Sequence, residues 1–396
     1  MRRRGGIAIA FVAIVAAALA STAGAGSSAA AQIQAIKCDS TLKIAVLTPY
    51  TGPAAFLGQD QGSWANLAAK NVGKALGLKV QIVAADSTLD PAVAATAAQK
   101  VIADSQVIGV VGPATSGAAA GTSPAFFDAK LAAVTASATN AALTKSVGGK
   151  PRTATPAFFR VVADDSVQGT RDAKYMIEKL GAKKVAVFDA QEPYSQGLAD
   201  TVEAYLKAKG VAVQRFSVTN TTTDFSAIVN KIDKDTDVAF TPFQTASNAQ
   251  TVAVTLRESG RKAVVFGTDG TIDPAFKFPG SYVSNFAPDL NLIPEKKALV
   301  DQWKKANPGR TFSAFGPTAY GAAEVIMRAT KRACVDGKGT ITRQAVLRRI
   351  KTVKIADWIL GGSFAFSKKT NDPLNGGFWL FQIQSDGTAK QIAKIG

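Results

Sequence analysis

The sequence contains no histidine among its 396 residues. That absence excludes Ser-His-Asp and Cys-His catalysis and every metal site that depends on an imidazole ligand. Cysteine is scarce as well, because only Cys38 and Cys334 are present and they cannot build a thiolate metal cluster. We therefore expect no enzyme activity, no metal site and no cofactor.

Long apolar runs are absent after the first twenty residues. Three arginines at positions 2–4, an apolar run at 7–20 and a stretch rich in Ala, Gly and Ser are typical of a secretory signal peptide, which we assign to residues 1–31. A membrane anchor is the alternative, but the run is shorter than the ~20 apolar residues of a transmembrane helix. Lipid attachment at Cys38 is disfavoured, because this cysteine lies far beyond the apolar run and follows Lys37.

Export would place the protein in the periplasm or at the cell envelope, where an even pair of cysteines favours a disulfide between Cys38 and Cys334. Two buried free thiols are the alternative. The formal net charge is +17, and three of those charges belong to the arginines of the signal peptide. Because the remaining Lys and Arg residues are scattered and no basic run alternates with aromatic residues, we expect a basic surface near anionic envelopes and no nucleic-acid site.

Short apolar strands alternate with helices from residue 42 onward, which is typical of parallel sheets covered on both faces. The first series has predicted strands at 42–48, 79–84, 107–111 and 132–135 and helices at 61–76, 90–103 and 118–128. The second has strands at 184–189, 211–218, 238–241 and 263–266 and helices at 195–209, 224–232 and 247–259. Helices at 295–306, 318–333 and 342–351 and a strand at 377–384 follow. Two similar α/β series predict two lobes.

Ligands of open α/β sheets bind beyond the carboxyl ends of the strands, so the residues that follow each strand are candidates. Thr115 and Ser116 follow the strand at 107–111 and open a helix, where hydroxyl and free N–H groups suit a carboxylate. An ordinary helix cap is the alternative. Ser137 and Thr139 follow the neighbouring strand at 132–135, and a capped turn is the alternative there.

Three more candidates follow strands of the second series. Asp269 comes after the strand at 263–266 and can pair with an ammonium group, although an Asp-Gly turn is the alternative. Tyr194 follows the strand at 184–189, and Gln244 follows the strand at 238–241. No glycine-rich dinucleotide fingerprint and no P-loop follows any strand, so nucleotide binding is not indicated.

The order and spacing of several short segments resemble the type I periplasmic binding proteins of branched-chain amino acid ABC importers. The resemblance runs from about Thr41 to the C-terminus. The matching segments are Thr51-Gly52-Pro53, Val80-Gln81-Ile82-Val83 with Asp86, Gly112 to Ser116, Ser137-Ala138-Thr139 with Leu143-Thr144, Tyr194 with Gly197, Asp224-Phe225-Ser226, and Gly316-Pro317-Thr318-Ala319-Tyr320.

This resemblance implies two doubly wound lobes, joined by three crossovers near positions 162, 286 and 366, that close like a hinge on a ligand. It implies that Ser116 binds the ligand carboxylate, that Ser137 and Thr139 bind both the carboxylate and the ammonium, and that Asp269 pairs with the ammonium. Tyr194 would form an aromatic lid. The implied lobes are 38–162 plus 287–366 and 163–286 plus 367–396.

The resemblance leaves the pocket for the ligand side chain less defined. Gln244 stands where some relatives carry Tyr, and Phe56 or its neighbour Leu57 stands where others carry an aromatic residue. With Thr115, these residues complete the predicted site. The implied function is capture of an amino acid, branched-chain or similar, by a monomer that delivers it to a membrane ABC permease. Urea, a short amide or an aromatic carboxylate as ligand, and a sensor that docks to a membrane receptor, are the alternatives.

Overall fold

The structure is a computed structural model that describes residues 35–395. The predicted signal peptide at 1–31 lies outside the described residues. None of the helices in the described part of the chain is long and apolar enough to cross a membrane.

Strands and helices alternate along most of the described chain. The strands are β1 (Ile36–Lys37), β2 (Thr41–Thr48), β3 (Lys79–Asp86), β4 (Val107–Val111), β5 (Ala132–Thr135), β6 (Phe158–Arg160), β7 (Lys184–Asp189), β8 (Ala212–Ser217), β9 (Val238–Thr241), β10 (Val264–Gly267), β11 (Tyr282–Asn285), β12 (Thr340–Ile341), β13 (Lys354–Ile355), β14 (Phe364–Ala365), β15 (Phe378–Ile383) and β16 (Ala389–Ile395). The helices are α1 (Ala55–Ala68), α2 (Pro91–Ala103), α3 (Ser116–Asp128), α4 (Asp165–Glu178), α5 (Pro193–Ala208), α6 (Ser226–Val229), α7 (Ala246–Glu258), α8 (Lys297–Ala306), α9 (Phe315–Asp336) and α10 (Arg343–Ile350), and a π-helical turn at Ala69–Gly73 extends α1.

The first sheet has the order β3-β2-β4-β5-β6, and all of its strands are parallel. Alternate residues of β2 point to opposite faces, as the pleat requires. Ile44 and Val46 belong to the core that includes Trp64 of α1, whereas Ala45 and Leu47 belong to the core that includes Phe126 of α3. Helices therefore cover both faces, which explains why the strand sequences are apolar throughout.

The second sheet has the order β16-β15-β11-β10-β9-β7-β8. The strands from β7 to β11 are parallel, and β15 and β16 are added antiparallel at one edge. Val185 and Val187 of β7 face one core and Ala186 and Phe188 face another, so this sheet is also covered on both sides. The protein therefore has the predicted fold, two doubly wound parallel-sheet lobes.

The chain passes from one sheet to the other three times, between β6 and α4, between β11 and α8, and between β14 and β15. Helix α8 belongs with the first sheet, because Trp303 stacks on Trp64 of α1 with the ring centroids 5.7 Å apart. The lobe boundaries at positions 162, 286 and 366 stay a prediction.

Several elements differ from the sequence-based expectation. The strands β1, β6, β11, β12, β13, β14 and β16 and the helix α4 were not predicted. Helix α4 escapes a hydrophobic-pattern argument because polar residues, Asp165, Gln168 and Asp172, occupy its buried face. Helix α1 begins six residues earlier than predicted, and α6 is a single turn of four residues in place of the helix predicted at 224–232.

Cys38 and Cys334 form a disulfide, with their Cα atoms 6.0 Å apart. The bond joins the start of the described chain to the C-terminal part of α9. Next to it, β1 pairs with β12 in a short antiparallel ribbon. The two features together fix the N-terminal segment onto the first lobe.

Reduction of this disulfide should lower the free energy of unfolding by about 4 kcal/mol, because it closes a very long loop in the unfolded chain. Urea unfolding with and without dithiothreitol measures the difference. The Cys38→Ser, Cys334→Ser double variant is the control and should not respond to the reductant. An unfolding midpoint of the unmodified protein that dithiothreitol leaves unchanged would contradict the prediction.

Candidate ligand-binding site

The loops that follow strands of both sheets meet at one cleft. Loops after β4 and β5 of the first sheet form one wall, and loops after β7, β9 and β10 of the second sheet form the opposite wall. The enclosed space measures about 30 Å³. The cleft is lined by Ala54, Leu57, Leu89, Ala114, Thr115, Ser116, Ser137, Tyr194, Gln244, Asp269, Gly270 and Phe315.

Six of the eight predicted site residues line this cleft, namely Thr115, Ser116, Ser137, Tyr194, Gln244 and Asp269. Thr139 lies behind the lining and is fully buried. Phe56 does not line the cleft. It packs edge-to-face on Phe315 at 6.0 Å and faces a separate interlobe groove, and its neighbour Leu57 takes the place in the cleft. Of the adjacent residues Phe56 and Leu57 at the start of α1, only one can point into the cleft, and the sequence pattern did not show which.

The first wall presents hydroxyl groups at the start of helix α3. The Thr115 side chain caps α3 by accepting a hydrogen bond from the Ala118 N–H at 3.3 Å. Ser116 is the first residue of the helix, where backbone N–H groups lack intrahelical partners. Ser137 donates to the Ala114 carbonyl at 2.7 Å and accepts from the Gln61 amide at 2.9 Å. This wall suits an anionic group.

Two buried side chains hold the loops of this wall together. The Thr135 hydroxyl donates to the Pro113 carbonyl at 2.6 Å and accepts from the Ser137 N–H at 3.2 Å, which joins the exits of β4 and β5. The Arg160 guanidinium donates to the carbonyl of Ala138 at 3.2 Å and pairs with Asp372 at 2.7 Å. Buried charge-assisted contacts of this kind fix the loop that carries Ser137 and Thr139.

The second wall contains a buried carboxylate. Asp269 follows β10 and is only 3% exposed, and the Tyr194 hydroxyl donates to its Oδ1 atom at 2.9 Å. The Tyr194 oxygen and the Thr268 hydroxyl are 2.7 Å apart. Burial raises the pKa of Asp269 to about 6. Tyr194 is therefore a hydrogen-bond donor that orients Asp269, in addition to lining the cleft as predicted.

Asp165 is a second buried carboxylate that the sequence did not reveal. It is the first residue of α4 and 1% exposed, and its N–H donates to the Thr139 carbonyl at 2.9 Å. Among the described residues, neither of its carboxylate oxygens makes a hydrogen bond of regular geometry, and the Thr139 hydroxyl beside them favours the charged form. Burial, and then the charge of Asp269, raise the pKa of Asp165 well above its usual range. The two carboxyl groups therefore lie close enough to repel each other.

Gln244 is held by another residue that the sequence did not reveal. Glu192 caps helix α5 by accepting from the N–H groups of Tyr194 at 2.8 Å and Ser195 at 2.7 Å. Its Oε2 atom also accepts from the Gln244 amide at 2.9 Å. Burial raises the pKa of Glu192 to about 7. A Glu immediately before a Pro at a helix start is the signal that could have identified this cap.

The rest of the cleft wall is apolar. Leu57, Leu89 and Phe315 line it, together with Ala54. Such a surface suits an aliphatic group and offers it no hydrogen bond. Within the part of the chain that the structure describes, no group of three or more Asp, Glu, Cys or His side chains is arranged to hold a metal ion.

The sequence from residue 41 to residue 388 matches the family described as "Periplasmic binding protein". The chain belongs to this family. A Leu/Ile/Val-binding protein of Rhizobium johnstonii is 30% identical over 304 residues, which cover 74% of this chain and 79% of that protein. A leucine-, isoleucine-, valine-, threonine- and alanine-binding protein of Pseudomonas aeruginosa is 27% identical over 364 residues, covering 89% and 92%. The resemblance to type I binding proteins of the branched-chain amino acid family is thereby confirmed.

Solved structures agree with the fold. A leucine-binding protein of Thermotoga maritima superposes with a TM-score of 0.78 at 22% identity, covering 90% of this chain and 99% of that one. A fatty acid ABC transporter substrate-binding protein of Thermomonospora curvata superposes with a TM-score of 0.77 at 17% identity, covering 90% and 92%. These structures establish the architecture, and at such identity they do not establish the ligand.

Proposed function

We propose that this periplasmic binding protein serves an ABC importer outside the cytoplasmic membrane and captures an amino acid, branched-chain or similar. The observation that carries the proposal is the pairing of two opposite ends in one cleft. Ser116 at the start of α3 and Ser137 in the loop after β5 form an anion-binding end, and Asp269 forms a cation-binding end. An amino acid is a zwitterion that presents both charges at once.

The anion-binding end provides hydroxyl donors and the N-terminus of a helix. Helix N-termini carry a partial positive charge and free N–H groups, so a carboxylate bound beside Ser116 gains from both. Hydrogen bonds to a charged group contribute about 1.5–3 kcal/mol each. A few such bonds give micromolar affinity, which corresponds to about −8 kcal/mol.

The cation-binding end favours an ammonium over a neutral or purely acidic ligand. An ammonium has three N–H donors, and Asp269, Asp165 and Thr139 offer acceptor oxygens in one buried corner. A fatty acid or an aromatic carboxylate has no cation, so its binding would leave the buried carboxyl groups of Asp269 and Asp165 without a cationic partner. Leaving a buried polar group unpaired costs about 1–3 kcal/mol.

Capture by lobe closure explains why both walls contribute. Ser116 and Ser137 belong to the first lobe, whereas Tyr194, Gln244 and Asp269 belong to the second. A ligand that bridges the walls stabilises the state in which both sets of contacts form. We infer that a monomer closes on the amino acid and presents it to the permease. Relatives named for leucine, isoleucine and valine binding support this ligand class.

A thermal-shift screen of amino acids, short amides and aromatic acids should single out an aliphatic amino acid. A ligand at a thousand times its Kd stabilises the native state by about 4 kcal/mol, which raises the melting temperature by several degrees.

The Asp269→Asn variant should bind the best ligand at least tenfold more weakly in calorimetry, because one charge-assisted contact is lost. Asp224→Asn, at an exposed position, is the matched control. Unchanged affinity in Asp269→Asn would remove Asp269 from the site.

Amino-acid affinity should fall as the pH is lowered through about 6. The pKa of Asp269 is raised to about 6, so below that pH its carboxyl group is protonated and no longer attracts an ammonium. The loss approaches tenfold per pH unit for a single group. Calorimetric titrations at pH values from 7.5 to 5, in steps of about half a unit, measure this loss of affinity. Affinity that is constant across this range would show that no carboxylate with this pKa holds the ligand.

A further inference from the structure

One surface of the first lobe carries a dense positive charge that the ligand site does not use. Residues 328–354 contain nine Lys or Arg residues and a single acidic residue, Asp336. We define the basic face as the exposed cations of this segment that form no ion pair with any residue in the described range 35–395, and these are Lys331, Arg332, Lys338, Arg348, Lys351 and Lys354.

Other charged residues of the same segment have internal partners. Arg349 pairs with Asp336 at 2.5 Å and so neutralises the one acidic side chain. Arg328 pairs with Glu324 at 2.7 Å. The Arg343 guanidinium donates to the carbonyls of Ile102 and Asp104 at the end of α2 and of Val107 at the start of β4. The uncompensated charge is therefore concentrated in the basic face.

Contacts between α9 and α10 hold the cations of the two helices on neighbouring surfaces. The Arg349–Asp336 pair joins the helices at one point, and the Arg332 guanidinium donates to the Thr352 carbonyl at 2.6 Å at another. Lys331 and Val335 share one side of α9, and Lys338 lies in the turn that follows Asp336, the last residue of the helix. Lys351 follows Arg348 by one helical turn at the end of α10.

An exposed apolar side chain lies among the cations of the basic face. Val335 is four residues after Lys331 and three before Lys338, and 69% of its surface is exposed. A favourable interaction with the helix dipole accounts for cations at the C-terminal end of α9, but it does not account for an exposed valine among them. Exposed apolar groups ringed by lysine and arginine are typical of surfaces that bind lipid headgroups.

The basic face also lies where the N-terminal segment joins the lobe. Cys334, next to Val335, is bonded to Cys38, and Lys37 pairs in register with Thr340. The ligand cleft is at the opposite end of α9, roughly 30 Å away at 1.5 Å per residue.

We propose that the basic face binds anionic phospholipid headgroups and holds the protein at the membrane surface with its cleft free. Each Lys or Arg near an anionic bilayer contributes about a three- to tenfold gain in membrane partition. Part of the strong positive charge of the chain thereby has a defined place, the basic face, and a defined binding partner.

Vesicle co-sedimentation with the purified exported protein tests this proposal. The protein should bind vesicles of phosphatidylglycerol and phosphatidylcholine in equal parts and should not bind pure phosphatidylcholine. The triple variant Lys331→Glu, Arg348→Glu, Lys351→Glu should bind the anionic vesicles about a hundredfold more weakly. The control variant Lys183→Glu, Lys234→Glu, Lys262→Glu reverses three exposed lysines of the other lobe and should change binding by less than about threefold.

Melting temperature and the thermal shift caused by the cleft ligand should be the same in both variants, which shows that each is folded. Equal vesicle binding by the two triple variants would overturn the proposal, because the charge would then act without regard to location. Binding to pure phosphatidylcholine as strong as to the anionic vesicles would also overturn it. So would retention of single-stranded DNA at a salt concentration that releases the anionic vesicles, because the face would then be a nucleic-acid site.

Discussion

A carboxylate removed from water needs a cation or several hydrogen-bond donors, and this protein buries two carboxyl groups, those of Asp269 and Asp165, at its cleft or behind it. The Tyr194 hydroxyl donates to Asp269, and the carboxylate oxygens of Asp165 make no regular hydrogen bond among the described side chains. The described side chains supply little positive charge beside these carboxyl groups, and we propose that a ligand with an ammonium group completes the site. The nearest buried arginine, Arg160, is already engaged by Asp372 and by backbone carbonyls.

The rest of the fold places the carboxyl groups of Asp269 and Asp165 opposite the anion-binding wall that carries Ser116 and Ser137. Parallel strands direct their carboxyl ends to one edge, so loops from two sheets can meet across a gap. Gly112, at a φ of 122°, lets the loop after β4 pass the backbone of β2, where a side chain would collide with the Leu47 carbonyl. Thr135 then ties this loop to the next. Small residues and short hydrogen bonds set the position of Ser116 and Ser137.

Much of this arrangement follows from local sequence rules. Asp90 and Pro91 mark the start of α2 because the aspartate caps the helix and the proline needs no hydrogen bond there, and the Asp90 side chain accepts from the Ala92 N–H at 2.7 Å. Short runs of apolar and β-branched residues predict the strands β4, β5, β7 and β9 with the same first and last residues as in the structure. The strand-exit rule alone led to six of the cleft residues, since it depends on topology and not on side-chain packing.

What could not be predicted depends on tertiary contacts. Asp165 lies on a helix whose buried face is polar, so no apolar period marked α4 or its first residue. Glu192 reaches Gln244, and Leu57 in place of Phe56 lines the cleft, only because α5 and α1 take particular orientations against the sheets. Likewise, the scattered cations of the sequence form a basic face only when α9, α10 and the disulfide bring them together.

The central claim is that one zwitterion bridges the two ends of the cleft. Isothermal titration calorimetry with leucine and its two halves, isopentylamine without the carboxylate and 4-methylpentanoate without the ammonium, tests it most directly. The account predicts that leucine binds and that each half binds at least a hundredfold more weakly, since each loses charge-assisted contacts worth about 3 kcal/mol or more. Binding of 4-methylpentanoate as tight as that of leucine would contradict the account.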